Sequence, residues 1–241
     1  MANIKFENFQ RNMDFPYGLG VRKGIYDNMG GIDKFGYLPT AGASYKTVWD
    51  GDNVYTYPSA ATTMNVVSSA GATDNGIAIT IQGLDASYNQ ITETVTLGDD
   101  SAGGTATTRE FLRVFRAFVS GGTNTTGNVT IEQDGVVYAK IFAEMQQTLM
   151  AVYTVPAGFR GYLIAGNLSV EKNQPVVAKL MTRSPGGVLR VSGLVTSFGV
   201  PFQRVWQIPP ILPEKTDIEI RAKAGATTSI AAGFEILLER L

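Results

Sequence analysis

The residues best suited to chemistry in this chain are acidic. Asp50 and Asp52 in "WDGDN", and the pair Asp99-Asp100, offer hard oxygens that could bind a calcium ion. Neither run has the closing Glu of the helix–loop–helix calcium loop, so hydrated turn residues are the plainer reading. Glu93 is a second candidate. In "QITETVTL" it stands on the face that carries Ile91, Val95 and Leu97, where a carboxylate is out of place. Opposed to another carboxyl across a groove it could cleave a glycoside. At a strand edge or an interface it would be structural.

Other chemistry finds little support. There is no cysteine and no histidine, which removes disulfides, thiolate zinc sites, Cys nucleophiles and every His-based mechanism. A serine nucleophile would need a base, and without histidine only a lysine could serve. "GLGVRKG", Gly18 to Gly24, comes close to a dinucleotide fingerprint but is one residue too long and lacks the strand–turn–helix context that would cradle a pyrophosphate. "REFLRVFRAF" could be a basic, aromatic strip for single-stranded nucleic acid. Burial of its rings, with the arginine stems along a sheet, is the alternative. Asn124, Asn128 and Asn167 form Asn-x-Ser/Thr sequons that Thr-rich loops produce by chance. We therefore expect no catalytic, cofactor-binding or metal-ligating residues, and no enzymatic activity.

Composition points the same way. Of 241 residues, 44% are hydrophobic and only 17% charged, and the formal net charge is −1. No global basic field is available for nucleic acid, so direct nucleic-acid readout is not expected. A low charge fraction suits lasting contact with other subunits, and equally a β protein with a Thr/Gly/Asn-rich surface. Residues 41–145 carry five Lys/Arg and eleven Asp/Glu, residues 146–241 ten and six. "MANIKFENFQRN" is polar, no run matches a membrane span, and a soluble, non-secreted chain is expected.

The elements that must position these residues read as β throughout. Residues 1–44 have neither helical nor strand period but are rich in rings, among them Phe6, Phe9, Phe15, Tyr17, Tyr26, Phe35 and Tyr37. They read as an extended arm docked on its own body or on a neighbour. Residues 45–145 read as a β-sandwich unit. "GIAITIQG" puts Ile77, Ile79 and Ile81 on one face, and "LDASYN" joins it to "QITETVTL" as a hairpin. In "NVTIEQDGVVYAKIF", Asp134-Gly135 marks a primed turn. "REFLRVFRAFV" fits strand alternation better than a helix in this neighbourhood. Residues 146–241 read as a jelly-roll-like unit with strands at 149–155, 160–170, 175–183, 187–196, 203–208, 216–223 and 229–239. "TDIEIRAKAG" is the cleanest, with Ile218, Ile220 and Ala222 inward and Asp217, Glu219, Arg221 and Lys223 outward. Pro156-Ala157-Gly158 closes either a core hairpin or a corner between sheets. The fold class is all-β, a β-sandwich or jelly roll of two units behind an N-terminal arm.

"SYKTVWDGDNVYTYPSAATTMNV", "ITIQGLDASYNQITETVTL", "EFLRVFRAFV" and "MQQTLMAVYTVPAGFRGYLI", in that order over residues 45–165, resemble a family of virion structural proteins of tailed bacteriophages, especially marine phages and cyanophages. "IPPILPEKTDIEIRAKA" is similar to the closing strands of jelly rolls in phage structural components. The resemblance implies a non-enzymatic virion protein, assembled in the host cytoplasm. It would be a head decoration or cement protein, a homotrimer bound to the major capsid protein or other virion proteins, with no membrane and no cofactor. A neck, tail or fibre protein reading host glycans through Trp49, Asp50, Asp52 and Tyr55 is the alternative.

Overall fold

A computed structural model describes residues 17–98 and 104–241. Asp99-Asp100 and the arm aromatics Phe6, Phe9 and Phe15 lie outside the described residues. Apart from a helix, α1 (Tyr17–Arg22), and one 3₁₀ turn at Gly71–Asp74, the elements are strands. The expected all-β sandwich architecture holds.

Four antiparallel sheets enclose two apolar cores. The N-terminal core lies between a four-stranded sheet, β6 (Thr105–Ala106)–β3 (Asn65–Ser68)–β8 (Val129–Gln133)–β9 (Val136–Ile141), and a three-stranded one, β5 (Gln90–Thr96)–β4 (Ala78–Leu84)–β7 (Arg113–Ser120). Both expected hairpins form here. Between β4 and β5, the Asp85 carboxylate accepts the amides of Ser87 and Asn89, the side-chain-to-backbone turn that its residue type favours. Between β8 and β9, Asp134 and Gly135 both have positive φ, 50° and 76°, as a primed turn demands. Ile77, Ile79 and Ile81 all enter this core.

The C-terminal core lies between two five-stranded sheets. One runs β1 (Met29–Ala41)–β17 (Thr228–Arg240)–β11 (Phe159–Val170)–β14 (Phe202–Val205), with β15 (Ile211–Leu212) also on β11. The other runs β10 (Val152–Thr154)–β16 (Asp217–Ala224)–β12 (Pro175–Arg183)–β13 (Arg190–Phe198), with β2 (Lys46–Thr47) on β16. Pro156–Gly158 is a corner rather than a hairpin. β10 belongs to one sheet and β11 to the other, and Gly158 turns the chain at φ 74°.

Residues 29–41, expected within the arm, are instead strand β1, paired from Met29↔Glu239 to Ala41↔Thr228. Its inward face hides the signal. At Gly36 a Cβ would stand 2.1 Å from the Val48 carbonyl oxygen and 2.5 Å from the Ala151 nitrogen, so backbone packs where an apolar side chain would announce a strand.

The two cores share a wall. Val48 and Trp49 go to opposite cores, and along Met150–Tyr153 successive side chains alternate between them. The period of two, which normally separates core from solvent, here separates core from core.

Candidate interaction surface

The wall between the cores accounts for several residues that sequence alone leaves as candidates. Asp217 and Glu219, expected outward, are both buried. This corrects the reading of β16 as half-solvated, because its second face meets the other core instead of water. Burial of these charges is met by partners. The Asp217 carboxylate accepts from Arg113 Nε at 2.9 Å, Arg183 Nε at 2.8 Å and the Thr154 hydroxyl at 2.6 Å. Glu219 pairs with Arg221 and accepts from the hydroxyls of Tyr57 and Thr47. Burial lifts the Glu219 carboxyl above its ordinary range, while Arg221, Tyr57 and Thr47 work against that shift. Arg113 is therefore fully engaged and buried, also donating to the carbonyls of Pro58 and Leu112. The basic strip "REFLRVFRAF" loses its central cation to this layer, and Phe111 to the N-terminal core.

The paired aspartates separate. Asp52 accepts from Thr40 and from Lys46 Nζ at 3.0 Å. Asp50 is buried, accepts the Leu149 amide through one oxygen, and has no partner on the other. Burial pushes its carboxyl up to about 8, the Leu149 amide and Lys140 opposing. Among the described residues no cluster of His, Cys, Asp or Glu is placed to hold a metal. The glycan-contact residues are misplaced as well. Trp49 and Tyr55 are core residues, ring to ring at 5.1 Å, with Trp49 Nε1 donating to the Asn53 carbonyl and Tyr55 Oη to that of Val114.

Glu93 has a structural occupation. Its Oε1 accepts from the Thr108 amide and hydroxyl at 2.7 and 2.9 Å, and its Oε2 from the Arg109 amide at 2.8 Å. It fastens β5 to the loop leading into β7, which is why a carboxylate sits on that face. In "GLGVRKG" the helix α1 forms inside the glycine run and leads into β1, the reverse of a dinucleotide motif.

The feature left without an internal purpose is apolar. Eight large apolar side chains between Val188 and Ile211 are each more than half exposed, Ile208 by 88%. They follow one side of the C-terminal sandwich, where the edges of its two sheets, β13 and β14, come together. Leu194 and Phe198 project from β13, Val200 from the following turn, and Val205 from β14. Between these edges a cavity of about 60 Å³ opens, walled by Val195, Phe202 and Trp206, with the Arg204 guanidinium 4.9 Å from the Trp206 ring. Among the described residues β13 pairs only with β12, so its other edge is left unpaired by them. Across residues 188–211 the only charged side chains are Arg190 and Arg204. Sequence periodicity finds these strands but not their exposure. The available signal is that dearth of charge.

No family model matches the chain, and no curated protein matches it. Solved structures of infectious bursal disease virus are similar at a low level. The Gt strain structure is 10% identical over 89% of this chain and 73% of that chain, TM-score 0.23. The Gx strain structure is 11% identical over 88% and 70%, TM-score 0.24. That of T=1 particles derived from this virus is 10% identical over 89% and 70%, TM-score 0.23. Among the described residues, no helix is long and apolar enough to cross a membrane.

Proposed function

We propose that this chain is a non-enzymatic structural component of a tailed-phage virion, a decoration or cement protein of the head exterior that associates as a homotrimer on the major capsid protein. The observation that carries the reading is the apolar edge at residues 188–211. Monomeric proteins rarely leave more than a few hundred Å² of contiguous apolar surface bare, and a standard interface covers about 800 Å² on each partner. Eight half-exposed or better aliphatic and aromatic side chains beside an unpaired strand edge call for a cover. A second copy is the cover that needs no further partner, and a trimer would apply it head to tail around a ring. The phage assignment itself rests on the sequence resemblance.

In this reading the N-terminal arm ahead of β1 latches onto the shell or an adjacent protomer. The test is copy number in purified virions, by quantitative mass spectrometry against the major capsid protein. A number comparable to the capsid protein is expected. A number matching a single ring or a few fibres would move the protein to the neck or tail, and absence from particles would end the structural reading.

A further inference from the structure

A second feature, independent of the apolar edge, lies on the other side of the molecule. Where α1, β1 and β7 meet, a cavity of about 320 Å³ is lined by Arg22, Lys34 and Arg116, with Gln82 and Gln147 beside them. Among the described residues Asp33 is the only carboxylate in its lining. Lys34 forms the base, 8% exposed, its ammonium donating to the Phe115 carbonyl and standing 5.9 Å from the Phe115 ring. Arg22 and Arg116 are exposed at the mouth. None of the three cations forms an ion pair with a described carboxylate, since all five ion pairs lie elsewhere.

This arrangement is unfavourable as it stands. A buried ammonium loses hydration, and the neighbouring arginine adds like-charge repulsion. Burial and Arg116 together bring Lys34 down to about 7, Asp33 opposing. Elsewhere in the chain the buried charges Arg113, Asp217 and Glu219 are all matched. Here a surplus of donors faces an open space whose lining also includes Phe35 and Phe115. Two guanidinium forks, an ammonium and two side-chain amides supply the donors that suit a multiply charged oxyanion.

We propose that this cavity is a binding site for a small multivalent oxyanion of the polyphosphate type, held by Arg22, Lys34 and Arg116. The anion supplies the countercharge that Lys34 lacks, and it ties α1 to both cores through β1 and β7. Protonation of Lys34 strengthens it. The charged and titratable groups around that ammonium are Asp33 on β1, Arg116 on β7, Arg22 on α1 and Tyr153 on β10.

The test is calorimetric titration of the full chain with sodium tripolyphosphate at constant ionic strength. One site per chain is expected, tighter at pH 6 than at pH 9. Arg22→Gln and Arg116→Gln, both at exposed positions, should each weaken it about tenfold or more, the worth of one charge-assisted hydrogen bond. Arg160→Gln, on an exposed cation elsewhere, should leave it unchanged. No heat of binding, or binding indifferent to Arg22→Gln and Arg116→Gln, would overturn the proposal. So would binding seen only in a Glu7→Gln/Asp14→Asn variant, since the chain's own N-terminal carboxylates would then be the occupant.

Discussion

Arg113 Nε lies 2.9 Å from Asp217 Oδ1, across a sequence separation of 104 residues, with both side chains buried. The pair joins β7 of the N-terminal core to β16 of the C-terminal core. Arg113→Met leaves Asp217 with Arg183 and Thr154, so it should cost about 1–3 kcal/mol, read as a fall in the urea midpoint. Asp217→Asn leaves the buried Arg113 without its carboxylate and disturbs three partners at once, and should cost about 3–5 kcal/mol. A cost under about 1 kcal/mol, the range of exposed pairs, would show the wall to be hydrated.

Gly36→Ala should destabilise by about 1–3 kcal/mol or more, because its Cβ meets backbone atoms of two other segments, which cannot rotate away. Gly30→Ala, in the same strand with nothing within 4 Å of the new carbon, should be neutral or stabilising by up to about 1 kcal/mol. Equal effects in denaturant melts would contradict the close approach.

Asp50 yields a pH prediction. Its carboxyl titrates near 8 in the folded chain, against an ordinary value of 3.8. Below about 4 both states hold the proton and the group is neutral to stability. Between 4 and 8 the unfolded chain ionises first, so stability falls as pH rises and levels off above 8. Asp50→Asn, which copies the neutral acid, should remove this component of the slope. Melting temperatures at pH 5 and pH 8 for both proteins check it.

Glu93→Gln should free the loop at Thr108 and Arg109. An amide presents donors where two backbone amides and a hydroxyl already donate, and the loss should be about 1–3 kcal/mol. Hydrogen exchange at the two loop amides reports it directly.

On the proposed assembly, Val205→Asp with Ile208→Asp should convert a trimer to a monomer in light scattering, with the melting temperature of the isolated chain little changed, since both positions are exposed. A wild-type chain that is already monomeric at high concentration would count against self-association through this edge.

Both hairpins of the N-terminal core were legible, because alternation and turn chemistry are local. So were the long C-terminal strands, which fall within a few residues of their expected bounds. Glu93 was legible as an anomaly but not as a loop fastener, since Thr108 and Arg109 are distant in sequence. β1 was missed because its inward positions include Lys34 and Gly36, and the glycine makes sense only beside the Val48 and Ala151 backbone that it touches.

The sequence by itself determined the all-β class, the turns, the absence of His and Cys chemistry, and which residues of each strand share a face. Those follow from period and residue type, which act over a few residues. Only the tertiary structure decided what each face meets. The polar face of β16 meets a second core, so Asp217 and Glu219 are buried. Val195 on β13 and Phe202 on β14 turn to the core, while Leu194, Phe198 and Val205 on the same strands stand exposed. The charges of Arg22, Lys34 and Arg116 converge from three elements on one cavity. Burial is set by which surfaces come together, and alternation alone does not specify the partner.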